Sequence, residues 1–226
     1  MEKKNRLNIK NVIWDWNGTL INDVEISMST INEALSKGGL QTISEDYYRN
    51  HFTFPVRDFY AQLGLKFNGQ GFNRYSAAFM ETYLQKSKSA SLQKGAEESL
   101  KFFREKDVRQ YILSAMEQSM LEGMLRDFGI IGYFDRVRGL ENMHANSKAD
   151  AGQKLMQETR TIKGNTVIIG DTLHDFEVAG ALGVSCFLLS CGHHAHSRLE
   201  SAKVPVFGNH YDLLKYIQQK KLILNV

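Results

Sequence analysis

Two short runs of the 226-residue chain hold the side chains best placed to do chemistry. In Val12-Ile13-Trp14-Asp15-Trp16-Asn17-Gly18-Thr19 an apolar strand ends on a carboxylate and breaks into a glycine turn, which is how a nucleophile or a metal ligand is presented. The run Val167-Ile168-Ile169-Gly170-Asp171-Thr172-Leu173-His174-Asp175 repeats the design far downstream and again sets carboxylates just past a buried strand. Ligand sites of open parallel sheets lie at the carboxyl ends of the strands, so both runs can face one crevice. Together they suggest a magnesium site built around a reactive aspartate.

The elements that must position these residues alternate. After the first strand comes a mostly helical stretch from about Asp23 to Ala90, with amphipathic pieces at Val24 to Ser36 and Phe72 to Gln85. From Gly95 the pattern reads helix to Lys106, strand Val108 to Leu113, helix Glu117 to Phe128, a short strand near Arg136 to Gly139, and helix Ser147 to Thr159. It continues with strand Thr166 to Ile169, helix Asp175 to Leu182, strand Ser185 to Leu189, a short helix, strand Val204 to Phe207 and a closing helix. Such alternation implies an α/β fold, a Rossmann-like parallel sheet with helices on both faces. The helical stretch is then an insert after the first strand, dividing the chain into a core of residues 1–20 and 92–226 and a small helical domain of residues 21–91.

Composition sets the frame. A hydrophobic content of 42% supports a sizeable core, and the length suits one domain with a smaller insert. The net charge of +3 is mild, and beyond a slightly basic start from Glu2 to Lys10 no cluster of lysines and arginines points to nucleic acid. No apolar stretch is long enough to cross a bilayer and the amino terminus has no signal-peptide core, so the expectation is a cytoplasmic protein without a membrane partner. Cys186 and Cys191 read as reduced thiols, too few for a zinc site.

The order of the pieces resembles the haloacid dehalogenase-like hydrolase superfamily, in particular the phosphoglycolate phosphatase-like branch whose helical cap is inserted soon after the first strand. Its first motif is matched by Asp15-Trp16-Asn17-Gly18-Thr19 and its second, a serine or threonine ending an apolar strand, by Tyr111-Ile112-Leu113-Ser114. Lys148 in Asn146-Ser147-Lys148-Ala149 stands for the third, and Gly170-Asp171 with Asp175 for the fourth. Each motif alone is weak; four in order across the whole chain are specific.

The resemblance implies a magnesium-dependent phosphatase of small phosphorylated metabolites. A phosphate monoester repels nucleophiles, so a catalyst must present a carboxylate while cancelling charge with a metal ion and a cation. Asp15 would attack phosphorus to form an aspartyl phosphate. Asp15, Asp171 and the carbonyl of Asn17 would ligate magnesium, with Asp175 ligating or holding a metal-bound water. Ser114 would bind a phosphoryl oxygen and Lys148 would neutralise its charge. The bland alternative is that Asp171 and Asp175 only cap the following helix.

Asn17 departs from the family pattern, in which a second aspartate donates a proton to the leaving oxygen and later takes one from water. An amide does neither, and such assistance is typically worth about 10² to 10⁴ in rate, roughly 3 to 5 kcal/mol. Three readings follow: slow ester hydrolysis with His174 or a metal-bound water as the acid, a preference for acyl phosphates or phosphoanhydrides that need no acid, or a binding module that holds a phosphorylated ligand without turnover. Retention of Asp15 favours an enzyme, since a carboxylate aimed at a phosphate gains nothing for binding alone. On this reading Asn17→Asp raises activity on alkyl phosphates.

The insert should set specificity. Arg57, in Phe52-Thr53-Phe54-Pro55-Val56-Arg57, is either a solvated surface arginine or the reader of a second anionic group. Tyr47, Tyr48, Phe59 and Tyr60 read as helix-packing residues. His193, His194 and His196 suggest either a transition-metal cluster or, more simply, a loop beside the site mouth, and Trp14 is expected to pack under a helix on the side of its strand away from the site.

Overall fold

A computed structural model of the chain describes residues 7–67, 71–141 and 148–223. The chain runs through β1 (Asn11–Trp14), β2 (Ile21–Asn22), α1 (Val24–Lys37), α2 (Glu45–His51), α3 (Val56–Gln62), α4 (Gly71–Ser87) and β3 (Ser91–Leu92). It continues with α5 (Ala96–Glu105), β4 (Arg109–Glu117), α6 (Gln118–Asp127), β5 (Arg136–Leu140), α7 (Lys148–Thr159) and β6 (Thr166–Gly170). Last come α8 (Leu173–Leu182), β7 (Ser185–Leu189), α9 (His196–Leu199), β8 (Val206–Phe207) and α10 (His210–Gln219). Among the described residues, six strands form one sheet in the order β5-β4-β1-β6-β7-β8, parallel at every pairing. This is the α/β architecture expected from the alternation.

Strand β1 is central and buried on both faces, which explains its uninterrupted apolar sequence. Successive side chains leave a strand on opposite faces. Val12 and Trp14 therefore join the cluster under α5, α6 and α10, with Leu100, Leu121 and Leu213, while Ile13 joins Leu155, Val178 and Leu182 under α7 and α8. Trp14 packs edge-on against Phe103 of α5 at 5.6 Å and donates its indole N–H to Gln110 Oε1 at 3.0 Å. The same alternation sends Asp15 toward the side of α7 and α8, where Lys148 and Asp175 reside.

Helices α1 to α4 enclose a separate apolar cluster that includes Val24, Ile31, Leu35, Tyr48, Phe52 and Phe59. The chain leaves and rejoins the core side by side, because β2 pairs antiparallel with β3, Ile21 opposite Leu92 and Asn22 opposite Ser91. Helices α1 and α4 match the amphipathic pieces closely, whereas α2 and α3 are too short to show a helical period.

Several boundaries differ from the sequence reading. Strand β4 runs on past Ser114 to Glu117, re-pairing with β5 after a register shift between Leu113 and Glu117, and Glu117 then caps α6 by accepting from the amides of Ser119 and Met120. Helix α8 opens at Leu173 rather than Asp175 because Thr172 is its cap residue. Ser147, where the sequence places the start of α7, lies outside the described residues. Both cysteines are free thiols, and no helix among the described residues is long and apolar enough to cross a membrane.

His210, the first residue of α10, ties the closing helix to the first loop. Its Nε2–H donates to the Thr19 carbonyl at 2.8 Å and its Nδ1 accepts from the Ser99 hydroxyl at 3.1 Å, so the ring is neutral; burial pushes its pKa down to about 4. A depressed histidine stabilises the fold above its unfolded pKa of about 6.5 and loses that contribution as pH falls toward the folded value. Acidification across this window should cost about 3 kcal/mol at this site. Denaturant unfolding against pH should show this slope in the wild type and a flatter one in His210→Gln; equal slopes would count against the assignment.

Candidate active site

The register assembles the site. Trp14 pairs with Ile112 on one side and Ile169 on the other, so Asp15 lies one residue past that row and Ser114 and Asp171 two residues past it. Asp15 and Asp171 emerge at the carboxyl ends of β1 and β6, and Ser114 lies at the same level where the pairing of β4 with β5 becomes irregular, so all three can face one crevice. The amide of Asp15 donates to the Ile169 carbonyl at 2.9 Å, fixing the backbone from which its side chain departs. Carboxylate oxygens of Asp15, Asp171 and Asp175 gather within 4.8 Å of one another, all buried.

Lys148 opens α7 and reaches into this cluster. Its ammonium pairs with Asp15 Oδ1 and with Asp175 Oδ1, the latter at 2.6 Å. Asp175 is also the helix-capping partner: its Oδ2 accepts from the Thr172 hydroxyl at 2.7 Å and from the amides of Thr172 at 3.0 Å and Asp171 at 3.2 Å. The cap and the site are therefore one arrangement for Asp175. Asp171 has no capping role, accepting instead from the Thr19 hydroxyl at 2.8 Å and the His193 amide at 2.6 Å. Gly18, at φ +70°, lies so close that a Cβ there would overlap both Asp171 and His193, and a Cβ at Gly170 would overlap Asp175.

Electrostatics single out the centre of this cluster. Burial pushes the Asp15 carboxyl well above the usual range against the pull of Lys148, and burial raises Asp171 to about 6 despite the nearby His193. Lys148 stays charged: burial alone would lower it, but Asp15 and Asp175 more than compensate. Three carboxylates are thus buried together with Lys148 paired to two of them, a concentration of acid that a divalent cation would help to balance, and the donors are the hard oxygens magnesium takes. The residues fit such an ion. Asp15, Asp171 and Asp175 could each offer a carboxylate oxygen to it, and Asp175 in addition holds Lys148 and completes the α8 cap.

The Asn17 side chain is turned to a neighbour that sequence reasoning missed. Its Nδ2 donates to Asp23 Oδ2 and to the Tyr83 hydroxyl, each at 2.8 Å, and Tyr83 donates in turn to the same Asp23 oxygen at 2.8 Å. Asp23 also accepts from the Gly18 amide at 2.7 Å and faces His193 Nε2 at 3.2 Å, while His193 Nδ1 meets the Tyr48 hydroxyl at 2.9 Å. Burial opposes both charges of this pair, yet Asp23 is held below the usual carboxylate range by His193, and Asp23 raises His193 to about 9. Asp23 occupies the N-cap of α1 yet makes no side-chain cap hydrogen bond, its carboxylate being taken up by the loop and the helices.

This network changes what Asn17→Asp should do. A carboxylate would replace the amide that bridges to Asp23, setting a half-buried acid against a fully buried one. We expect a stability loss of about 1–3 kcal/mol and less than a tenfold gain on alkyl phosphates. The exchange variant Asn17→Asp with Asp23→Asn restores a donor between the two positions and should regain most of the stability, measured by denaturant unfolding. A large gain in alkyl phosphatase activity from Asn17→Asp alone would argue against this bridge.

Asp15, Asn17, Asp23, Ser114 and Lys148 open on a cavity of about 850 Å³ between the sheet ends and the helices of the insert. Ser114 Oγ accepts from the Met116 amide at 3.1 Å within the irregular part of β4. Arg57 is exposed on α3, yet its guanidinium stacks over the Phe72 ring at 5.7 Å and lines the cavity wall. His174 also reaches the cavity, its ring stacked on Phe54 at 4.7 Å and its Nδ1 3.3 Å from Glu177. The loop histidines have separate roles. His193 joins the Asp23 network, His194 Nδ1 accepts from the Leu173 amide at 3.1 Å, and exposed His196 meets Ser190. Tyr48, Phe59 and Tyr60 pack in the insert as expected, but Tyr47 is exposed and stacks on His51 one helical turn away.

Comparison with known proteins agrees with this geometry. Residues 12–189 match the haloacid dehalogenase-like hydrolase family. The tyrosine-protein kinase PtkA of Mycobacterium tuberculosis is 24% identical over 184 residues, covering 80% of this chain and 62% of that protein, so the chain spans less than two thirds of the curated relatives it matches. A predicted phosphoglycolate phosphatase from Haemophilus somnus superposes with a TM-score of 0.75 at 18% identity, covering 93% of this chain and 98% of that one. A point mutant of CbbY from Rhodobacter sphaeroides, in complex with xylulose-1,5-bisphosphate, gives a TM-score of 0.72 at 17% identity over 91% of this chain and 96% of that one. At these identities the structural likeness is one of fold.

Proposed function

The chain belongs to the haloacid dehalogenase-like hydrolase family, and we propose that it is a cytoplasmic, magnesium-dependent phosphatase of small phosphorylated metabolites, with residues 21–91 as its cap. The observation that carries this reading is the buried carboxylate of Asp15 at the end of β1, which lines the cavity beside its partner Lys148 and is grouped behind it with Asp171 and Asp175. The phosphoglycolate phosphatase and xylulose bisphosphate named for structural neighbours are consistent with small phosphorylated substrates.

In this mechanism Ser114 and Lys148 hold the phosphoryl group, and Asp15, Asp171 and the Asn17 carbonyl hold magnesium, which when bound neutralises charge on the phosphoryl oxygens. A carboxylate oxygen of Asp15 forms a bond to phosphorus as the ester P–O bond breaks, and the leaving oxygen departs with the electron pair. Water then attacks phosphorus, the bond to Asp15 breaks, and inorganic phosphate leaves, with the proton lost from water passing to the medium. Asp175 keeps Lys148 in place throughout.

The commitment of the Asn17 amide to Asp23 favours a narrower second reading, hydrolysis of acyl phosphates or phosphoanhydrides whose leaving groups need no proton. Phosphate release from acetyl phosphate, phosphoglycolate and sugar phosphates, each with magnesium and with chelator, tests both. Magnesium-dependent release from any of them is expected. Turnover of acetyl phosphate alone would select the second reading, and binding without release from any would leave a phospholigand-binding module.

A further inference from the structure

We propose that the preferred substrates are aryl phosphates, phosphate monoesters of a phenolic oxygen on an apolar body. The inference rests on the phosphatase reading and specifies its leaving group. Two independent observations converge on it. The first is the cavity, whose wall beyond the phosphoryl site carries aromatic rings and thioethers interleaved with polar side chains such as Arg57, Asn73, Glu117 and His174. Phe54, Tyr60, Phe72 and Phe79 line it from the insert, and Met116 and Met120 from the sheet side. At about 850 Å³ it is the size of a pocket for a ring-bearing ligand, and a two-carbon ester would leave most of this apolar lining in contact with water.

The second observation is the amide at position 17, whose N–H groups are taken by Asp23 and Tyr83. An amide at position 17 is no acid, and the nearby imidazole of His193 is committed to Asp23 and the Tyr48 hydroxyl, so an ester of an aliphatic alcohol would have to expel a strongly basic alkoxide. A phenoxide, whose conjugate acid titrates near 10 as in tyrosine, departs far more readily. The covalent step then balances without an acid: the Asp15 O–P bond forms, the aryl O–P bond breaks, and the phenoxide leaves with the electron pair and takes its proton from water. A small acyl phosphate such as acetyl phosphate would satisfy the second observation and not the first. An aryl ester satisfies both.

Steady-state kinetics with magnesium on phenyl phosphate, 1-naphthyl phosphate, benzyl phosphate and glycerol phosphate separate the two contributions. Benzyl phosphate offers the ring but an alkoxide leaving group. Phenyl phosphate should exceed benzyl phosphate by about 10² or more in kcat, and 1-naphthyl phosphate should show a KM about tenfold below that of phenyl phosphate. Phe72→Ala and Met120→Ala should narrow the naphthyl advantage in KM. Equal kcat for phenyl and benzyl phosphate would overturn the leaving-group argument, and equal KM for phenyl and naphthyl phosphate would overturn the cavity argument. Glycerol phosphate turned over as well as the aryl esters would overturn the proposal while leaving the phosphatase reading intact. Silence on all four esters, and on acetyl phosphate assayed beside them, would overturn both.

Discussion

Asp15→Asn is expected to abolish turnover, by at least about 10⁴-fold, while the protein folds as before. The substituted amide keeps the shape of the side chain but cannot form the aspartyl phosphate. Its effect on stability should be opposite in sign to its effect on activity. Burial holds the Asp15 carboxyl above the usual range, so in the folded protein without metal its charge is disfavoured relative to the unfolded chain. A carboxyl with a raised folded pKa costs stability at every pH above its unfolded value, and removing it relieves that cost. In chelator the variant should therefore melt higher than the wild type, and the stabilisation given by magnesium should shrink because a ligand has gone. Calorimetry with and without magnesium, run beside the phosphate-release assay, measures all three. Full activity in the variant would remove Asp15 from the mechanism.

The second large effect is expected from Lys148→Met. The ammonium is buried between Asp15 and Asp175 and pairs with both. Breaking a buried pair by deleting one partner leaves uncompensated charge and typically costs about 3–5 kcal/mol. Methionine fills much of the same volume, so the loss would be electrostatic rather than a cavity effect. Magnesium should return part of this stability by taking over the balancing of charge, a rescue that a mere packing defect would not show. Activity should fall by about 10² to 10³ as the developing charge on the phosphoryl group loses its stabiliser. Unchanged stability in chelator would mean that the ion pairs with Asp15 and Asp175 do not hold the site together.

Much of this protein is legible in its sequence because the relevant signals are local. Strand β1 reads as a buried central strand since Val12-Ile13-Trp14 is apolar without alternation, and the carboxylate that follows marks the end of a parallel strand, where such sheets bind ligands. Helices α1 and α4 announce themselves by period, and α2 and α3 do not, being only seven residues each. Lys148, Asp171 and Asp175 are detectable as chemistry-bearing residues at element boundaries, although nothing in their spacing states that Asp175 completes the α8 cap and the Lys148 ion pair at once.

What tertiary structure alone decides is where the Asn17 amide points and what the cavity is made of. Asp23 and Tyr83 are sixty residues apart, and His193 and Tyr48 are 145 apart, yet with Asn17 they form one buried network because the chain re-enters the core beside the point where it left. The aromatic wall likewise joins residues of α3 and α4 to Met116 and Met120 across the crevice. A sequence specifies side-chain type and local period directly, so it determines the fold class and the residues capable of chemistry. Long-range hydrogen bonds and the lining of a cavity depend on which elements pack together, and that depends on the summed burial of apolar faces throughout the chain.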